Sequence, residues 1–276
     1  PLYSSAASDV YKRQAYFSPN IKSFVGGDIS AGLLAVDLAK KKGNHLFIDL
    51  GTNGEIVLKT NKRIHVTSTA AGPAFEGMNI SCGMLAQPGA IYKAEYNHGL
   101  KLSTINNSPE AGICGTGLID LISIFLKQNK ISLQGTIIDK AKKIPVVKNI
   151  HITQKDVREL QLAIAAMKTG IKLLLQENGL KVKDLDGIFI GGAFGNYLNI
   201  KNSMAIGLLP ITDLEKVVFI GNSSIAGAKA LLISRPSREK IESLVKKIQY
   251  ISLATKPLFQ ECFIKALEFK SKYWDF

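Results

Sequence analysis

No apolar run in this chain approaches the roughly 18 residues that a membrane-spanning helix needs, and its first residues lack the basic-then-apolar order of a secretion signal. Neither a membrane partner nor export is expected, which leaves the cytoplasm as the expected location. Cysteine is scarce. Cys82, Cys114 and Cys262 lie too far apart for a disulfide framework or for the tight thiolate spacing of a zinc or iron–sulfur site, so the chain brings no cluster of its own. His45, His65, His98 and His151 share no ligand spacing, and the sequence suggests no Ser/His/Asp or Cys/His arrangement. Aromatics and arginines are not interleaved with the basic residues. The net charge of +13, carried by lysines such as Lys140, Lys142, Lys143, Lys181 and Lys183, therefore reads as a solvated surface rather than a nucleic-acid groove, with some attraction for ATP or an acidic partner.

What is present is enough for a large core: 276 residues, 46% of them hydrophobic. Residues 1–14, PLYSSAASDVYKRQ, show no strand or helix period and resemble a translated sequencing adapter from a metagenomic reading frame. They are expected to be a non-native leader, with the gene truncated on its 5′ side. FVGGDISAGLLAVDLAKKKGN predicts a helix ending in a lysine run that suits the helix dipole. HLFIDLGTNGEIVL predicts two strands joined at Gly-Thr-Asn-Gly, and RIHVTSTA a third, forming a meander. From Thr153, a capping residue with Asp156 three positions on, one apolar face runs to a stop at Gly179. GIFIGGAFGN and KVVFIGNSSIAGAKALL each pass from an apolar strand through a glycine turn into a helix, which argues for an α/β sheet with ligands at its strand ends. The remainder predicts a helix over SREKIESLVKKI, a strand over YISLAT and a helix over PLFQECFIKALEF.

Asp49 leads the candidate site residues. An acid at a strand end, followed by Gly51, Thr52, Asn53 and Gly54, offers a carboxylate to Mg²⁺ or its waters and backbone N–H groups to phosphate. Asn-Gly is equally an ordinary hairpin turn, but a carboxylate in an apolar strand needs a partner to be worth burying. Glu76, the lone carboxylate of TAAGPAFEGM, belongs either to a loop closing over a nucleotide, touching metal or water, or to a plain tight turn. Gly115 and Gly117 open the helix of GICGTGLID, where anions bind well; the dinucleotide fingerprint fails because Asp120 stands where its third glycine belongs. Gly191, Gly192, Ala193, Phe194, Gly195 and Asn196 form a turn against which a base and ribose can lie, or a close strand–helix packing turn. GNSSIAGAK misses the P-loop spacing, leaving Asn222 as a ligand contact at a strand end.

Together these strings, with STAAGPAFEGMNISCGM, ITQKDVRELQLA, IGLLP and PLFQECFIKAL, resemble the C-terminal region of the reductive activators of corrinoid-dependent methyltransferases. That family is a branch of the acetate/sugar kinase, heat-shock chaperone and actin superfamily. The likeness spans about Ile21 to Phe269. It implies an α/β fold, the second half of an actin-like, ribonuclease-H-like ATPase with a mixed sheet flanked by helices. It also implies ATP and Mg²⁺ as ligands, and a 2Fe–2S domain located upstream of this chain. The function implied is ATP-driven return of Co(II) corrinoid to Co(I), with a corrinoid protein or methyltransferase as partner and homodimerisation as a further association. By the same likeness Asp49 to Glu55 is the second phosphate hairpin and Gly191 to Asn196 the adenosine turn. Residues 15–45, with a helix from Gly26 to Lys42, form the crossing element from the first half, and residues 46–276 the half-domain. No counterpart of the family's first hairpin occurs between Ala15 and Leu46, so that half is expected to be missing. A small-molecule kinase and a non-catalytic docking module for a corrinoid protein are the competing readings.

Overall fold

The computed structural model describes residues 15–192, 197–253, 255–269 and 271–274. Its centre is a six-stranded mixed sheet in the order β10-β9-β1-β2-β3-β11. These strands are Val217–Gly221 (β10), Gly187–Gly191 (β9), His45–Leu50 (β1), Gly54–Lys59 (β2), Ile64–Thr69 (β3) and Ile248–Tyr250 (β11). The predicted meander forms as β1, β2 and β3, antiparallel, while β9 lies parallel to β1 and β10 parallel to β9. Strands covered on both sides can be apolar throughout, which is why HLFI and GIFI run without polar interruption.

Alternation along each strand divides the core in two. Leu46, Ile48, Ile56, Leu58, Ile188 and Ile190 pack with α2 (Gly115–Lys127) and α3 (Gln154–Glu177). Phe47, Val57 and Phe189 face the other way, towards α1 (Gly27–Ala35), α5 (Ser223–Ile233) and α6 (Arg235–Val245). A smaller sheet of β4 (Ala90–Tyr96), β5 (Leu100–Thr104) and β6 (Gly112–Ile113) backs α2, and β7 (Lys143–Val147) pairs with β8 (Ile150–Thr153) before α3. Short α4 (Ile200–Ala205) and C-terminal α7 (Phe259–Ala266) complete the helices. Fully buried Lys168 on α3 fastens α7 by donating to the carbonyls of Ala266 (3.0 Å) and Glu268 (2.7 Å). No helix among the described residues is long and apolar enough to cross a membrane.

Thr153 caps α3 as its sequence predicts. Asp156 N–H donates to Thr153 Oγ1 (3.3 Å), and Thr153 N–H donates back to Asp156 Oδ2 (2.7 Å). Buried Asp156 does more than cap, because its Oδ1 also accepts from Ser81 N–H (2.7 Å) and Ser81 Oγ (2.9 Å), pinning the loop that follows Glu76. Asp156→Ala is expected to cost about 2 kcal/mol in denaturant unfolding, against about 1 kcal/mol for Thr153→Ala, because it strands more buried donors. Equal losses would show that the Ser81 bonds contribute nothing.

Several boundaries differ from the sequence reading: the helix expected over SREKIESLVKKI runs from Arg235 to Val245, and that expected over PLFQECFIKALEF from Phe259 to Ala266. The helix expected over Gly26 to Lys42 ends at Ala35, because Asp37 turns left-handed (φ 48°) before a single 3₁₀ turn over Leu38–Lys40. The strand expected over YISLAT begins earlier, at Ile248, and pairing ends once Ile251 N–H has bonded Val66 O (2.8 Å).

Candidate functional site

Parallel pairing sets Asp49 beside Gly191 at the carboxyl ends of β1 and β9, where ligands of open α/β sheets bind. Gly192 follows with φ +90°. A β-carbon there would stand 3.0 Å from Asp49 Oδ1 and 3.2 Å from Leu50 O, and one on Gly191 would stand 3.3 Å from Asp49 Oδ2. Glycine at both positions keeps the space over the carboxylate open. Ala193, Phe194, Gly195 and Asn196 of the same turn lie outside the described residues.

Asp49 accepts no hydrogen bond among the described residues. Burial, and then the nearby Asp28 carboxylate, push its pKa up to about 6. Glu55, its cross-strand partner, is pushed up to about 7, chiefly by burial, with Asp49 and Asp28 adding to the rise against a hydrogen bond from Ser68 Oγ (3.2 Å). Three carboxyl groups thus share the strand ends on the α1 face. Among the described residues no three His, Cys, Asp or Glu side chains converge tightly enough to enclose a metal ion. This donor set suits Mg²⁺, which keeps most of its waters and takes one or two carboxylates plus phosphate oxygens.

Ser223, the first residue of α5, was not singled out by sequence. Its Oγ is buried, with the residue 1% exposed, and has no hydrogen-bond partner among the described residues. It sits 3.0 Å from the place a Gly191 β-carbon would take and 2.9 Å from that of Gly32 on α1. An orphaned hydroxyl next to an unpartnered carboxylate is the unsatisfied polar chemistry that ligand sites carry. Asn222 caps α5, its Oδ1 accepting from Ile225 N–H (3.0 Å), so its amide N–H₂ remains for other contacts.

On the phosphate hairpin, Gly51 N–H is spent on Asn53 O (3.2 Å), whereas the N–H groups of Thr52 and Asn53 have no partner among the described residues. Gly54 packs closely, since a β-carbon there would overlap Met167 Sδ and displace that side chain. Thr52 Oγ1 donates to Glu76 Oε1 (2.7 Å), and Gly72 N–H to Thr52 O (2.9 Å), so the Glu76 loop is fastened to the hairpin. Glu76 also lines a cavity of about 230 Å³ with Phe75, Tyr92, Gly115, Thr116 and Tyr197. Gly115 therefore faces the site, while Gly117 is enclosed, because a side chain there would overlap Ile91 O. Asp120 is structural: buried, it accepts from Ala94 N–H (3.1 Å) and Asn202 Nδ2 (2.7 Å), and burial raises its pKa.

Folding also creates one Cys/His proximity that spacing does not show, Cys82 Sγ lying 3.6 Å from His151 Nδ1, whose ring nitrogen is 2.8 Å from Asn149 O. Cys114 is a packed residue, 4% exposed.

Residues 43–276 match the family model described as the C-terminal domain of RACo, the ASKHA domain. The corrinoid activation enzyme RamQ of Eubacterium limosum is 37% identical over 275 residues, covering 90% of this chain and 46% of its own length. The Co(II) methylated amine-specific corrinoid protein reductase of Methanosarcina barkeri is 32% identical over 286 residues, covering 93% and 51%. A solved reductive activator for corrinoid, iron-sulfur protein superimposes with a TM-score of 0.85 at 36% identity, over 92% of this chain and 44% of its own. This chain spans about half the length of the curated relatives it matches. With this coverage, and with the mixed sheet and strand-end glycines described above, the chain belongs to the family of the RACo C-terminal ASKHA domain.

Proposed function

We propose that this chain is the ATP-binding and ATP-hydrolysing part of a cytoplasmic reductive activator that returns Co(II) corrinoid proteins to Co(I). The observation that carries the reading is the meeting of Asp49, the Gly191–Gly192 turn and Ser223, unpartnered among the described residues, at the carboxyl ends of parallel strands, in a chain whose relatives are named for corrinoid activation and reduction. In this reading the N–H groups of Thr52 and Asn53, unpartnered among the described residues, receive phosphate, Asp49 would help to hold Mg²⁺, and the turn from Gly191 to Asn196 carries adenosine. Glu76, held by Thr52, orients water at the terminal phosphate, with the uncapped start of α2 at Gly115 beyond it. Bound Mg²⁺ would neutralise phosphate charge.

Electrons come, on this proposal, from a 2Fe–2S domain outside this chain, and the partner is a corrinoid protein. Nucleotide hydrolysis supplies on the order of 10 kcal/mol, which covers an uphill one-electron step of several hundred millivolts at roughly 23 kcal/mol per volt. The cavity beside Glu76 is the feature that favours the second reading, a small-molecule kinase; a phosphorylated small-molecule product would decide for it.

The test is calorimetric titration of Mg-ATP into this chain and into a version extended upstream to the length of its relatives. Tight binding by the extended protein alone supports a cleft whose second wall is contributed by the first half. Tight binding by this chain by itself would show the site complete within it, and the assignment of Asp49 to a second phosphate hairpin would be wrong.

A further inference from the structure

Alternation in β1 and β2 sends Asp49, Glu55 and Lys59 to the same sheet face as Phe47 and Val57, beneath α1 and α6. This face is charge-polarised. Its acidic end carries Asp28, Asp49 and Glu55; four residues along β2, roughly 13 Å away, its basic end begins at Lys59. There, between the β2–β3 turn and α6, lies a cavity of about 380 Å³ lined by Lys59, Lys62, Arg63, Lys240 and Lys247, with no carboxylate in its wall.

Lys59 is 6% exposed, a costly position for an ammonium group. Its Nζ donates to the carbonyls of Lys41 and Gly43, and it forms no ion pair among the described residues. Burial lowers its pKa, opposed only at longer range by Asp186. Exposed Lys62, Arg63 and Lys247 likewise form no ion pair among the described residues. Lys240 alone is committed, to Asp37 Oδ1 (2.5 Å). Four cations without an ion-pair partner among the described residues therefore bound one concavity.

We propose that this cavity is a binding site for a small phosphate-bearing anion, at the end of the sheet opposite the Asp49 cleft. The concavity and the buried cation at its wall favour a compact anion over the convex surface of an acidic protein. A phosphate group brings more than one charge and several acceptor oxygens, which allow the Arg63 fork and the lysine ammonium groups to be satisfied together. Ser243 and Asn61 at the rim add neutral donors.

The experiment is a titration of the ¹⁵N-labelled chain with inorganic pyrophosphate at constant ionic strength, following backbone amides, with AMP in a parallel arm. Amides of residues 60–64 and 240–247 are expected to shift and saturate. The exposed charge reversals K62E/R63E/K247E, which leave the core untouched, should weaken this binding tenfold or more, and D49A should leave it unaltered. Saturation of the same amides by AMP at lower concentration than pyrophosphate would identify a nucleotide as the source of the phosphate; saturation by pyrophosphate alone would identify free phosphate. Shifts that fail to saturate, that persist in the triple variant or that vanish in D49A would overturn the proposal. So would displacement of pyrophosphate by a hexaglutamate peptide at concentrations below those at which pyrophosphate itself binds, since that would make the basin a contact for an acidic protein.

Discussion

Replacing Asp49 with asparagine is expected to raise the melting temperature of the nucleotide-free protein at pH 8 by a few degrees while weakening Mg-ATP binding by the nucleotide-competent protein roughly tenfold or more. Asp49 and Glu55 are pushed from ordinary values of 3.8 and 4.5 up to about 6 and about 7. Each group therefore holds its proton more tightly folded than unfolded. The stability this contributes is complete below about pH 4, falls progressively as the pH rises from there, and is fully lost once the pH has passed through 6 and 7. Above that window two ionised carboxylates face each other across β1 and β2, with Asp28 nearby, and asparagine removes one of the charges without changing the shape. Melting curves at pH 4 and pH 8 check the sign: the gain should be large at pH 8 and small at pH 4, where Asp49 is protonated in the folded protein and close to half protonated in the unfolded chain. A variant less stable than the parent at pH 8 would mean that the carboxylate supports the fold, and its place in a ligand site would be lost.

Gly227→Ala should destabilise the protein by about 3 kcal/mol, although alanine is the better helix former by about 1 kcal/mol. Gly227 lies inside α5 where it crosses α1, and a β-carbon there would overlap the carbonyl of Ala31. Backbone stands on both sides of that contact, so no rotamer change relieves it and the helices must separate. Gly170→Ala in α3 is the control, because its β-carbon meets only the side-chain ends of Ile56 and Thr69 at 2.6 Å, which can turn aside. Urea unfolding of the pair should show the first loss much larger than the second; a stabilised Gly227→Ala would show that α1 and α5 pack loosely. Since α1 carries Asp28 and α5 carries Ser223, nucleotide affinity should fall along with stability in Gly227→Ala.

Much of this architecture is local in origin and was legible in the chain. The meander from His45 to Thr69, the capped helix from Thr153 and the strand–turn–helix units at Gly187 and Val217 depend on periodicity, capping residues and glycine turns, which act over a few neighbours. Asp49 and Gly191 stand out in the sequence because an acid or a glycine at the end of an apolar strand is conspicuous. Gly54 and Gly117 look identical in sequence to ligand glycines, yet a β-carbon at Gly54 would press on the Met167 side chain and one at Gly117 would overlap the Ile91 carbonyl. Glycines inside helices, at 32 and 227, were the available hint of close packing.

The sequence by itself thus determined the order of elements, the position of the acid-led hairpin and the family resemblance, because these reside in short-range pattern and residue identity. Only tertiary structure decided that Asp49 lies against Gly191, that Ser223 has no partner among the described residues, that Glu76 hangs on Thr52, and that Lys59 and Lys247 share one basin. Each of these joins residues on separate elements, often far apart in the chain. Such proximity is fixed by strand register and helix crossing, where burying two apolar sheet faces selects one arrangement that no local signal encodes.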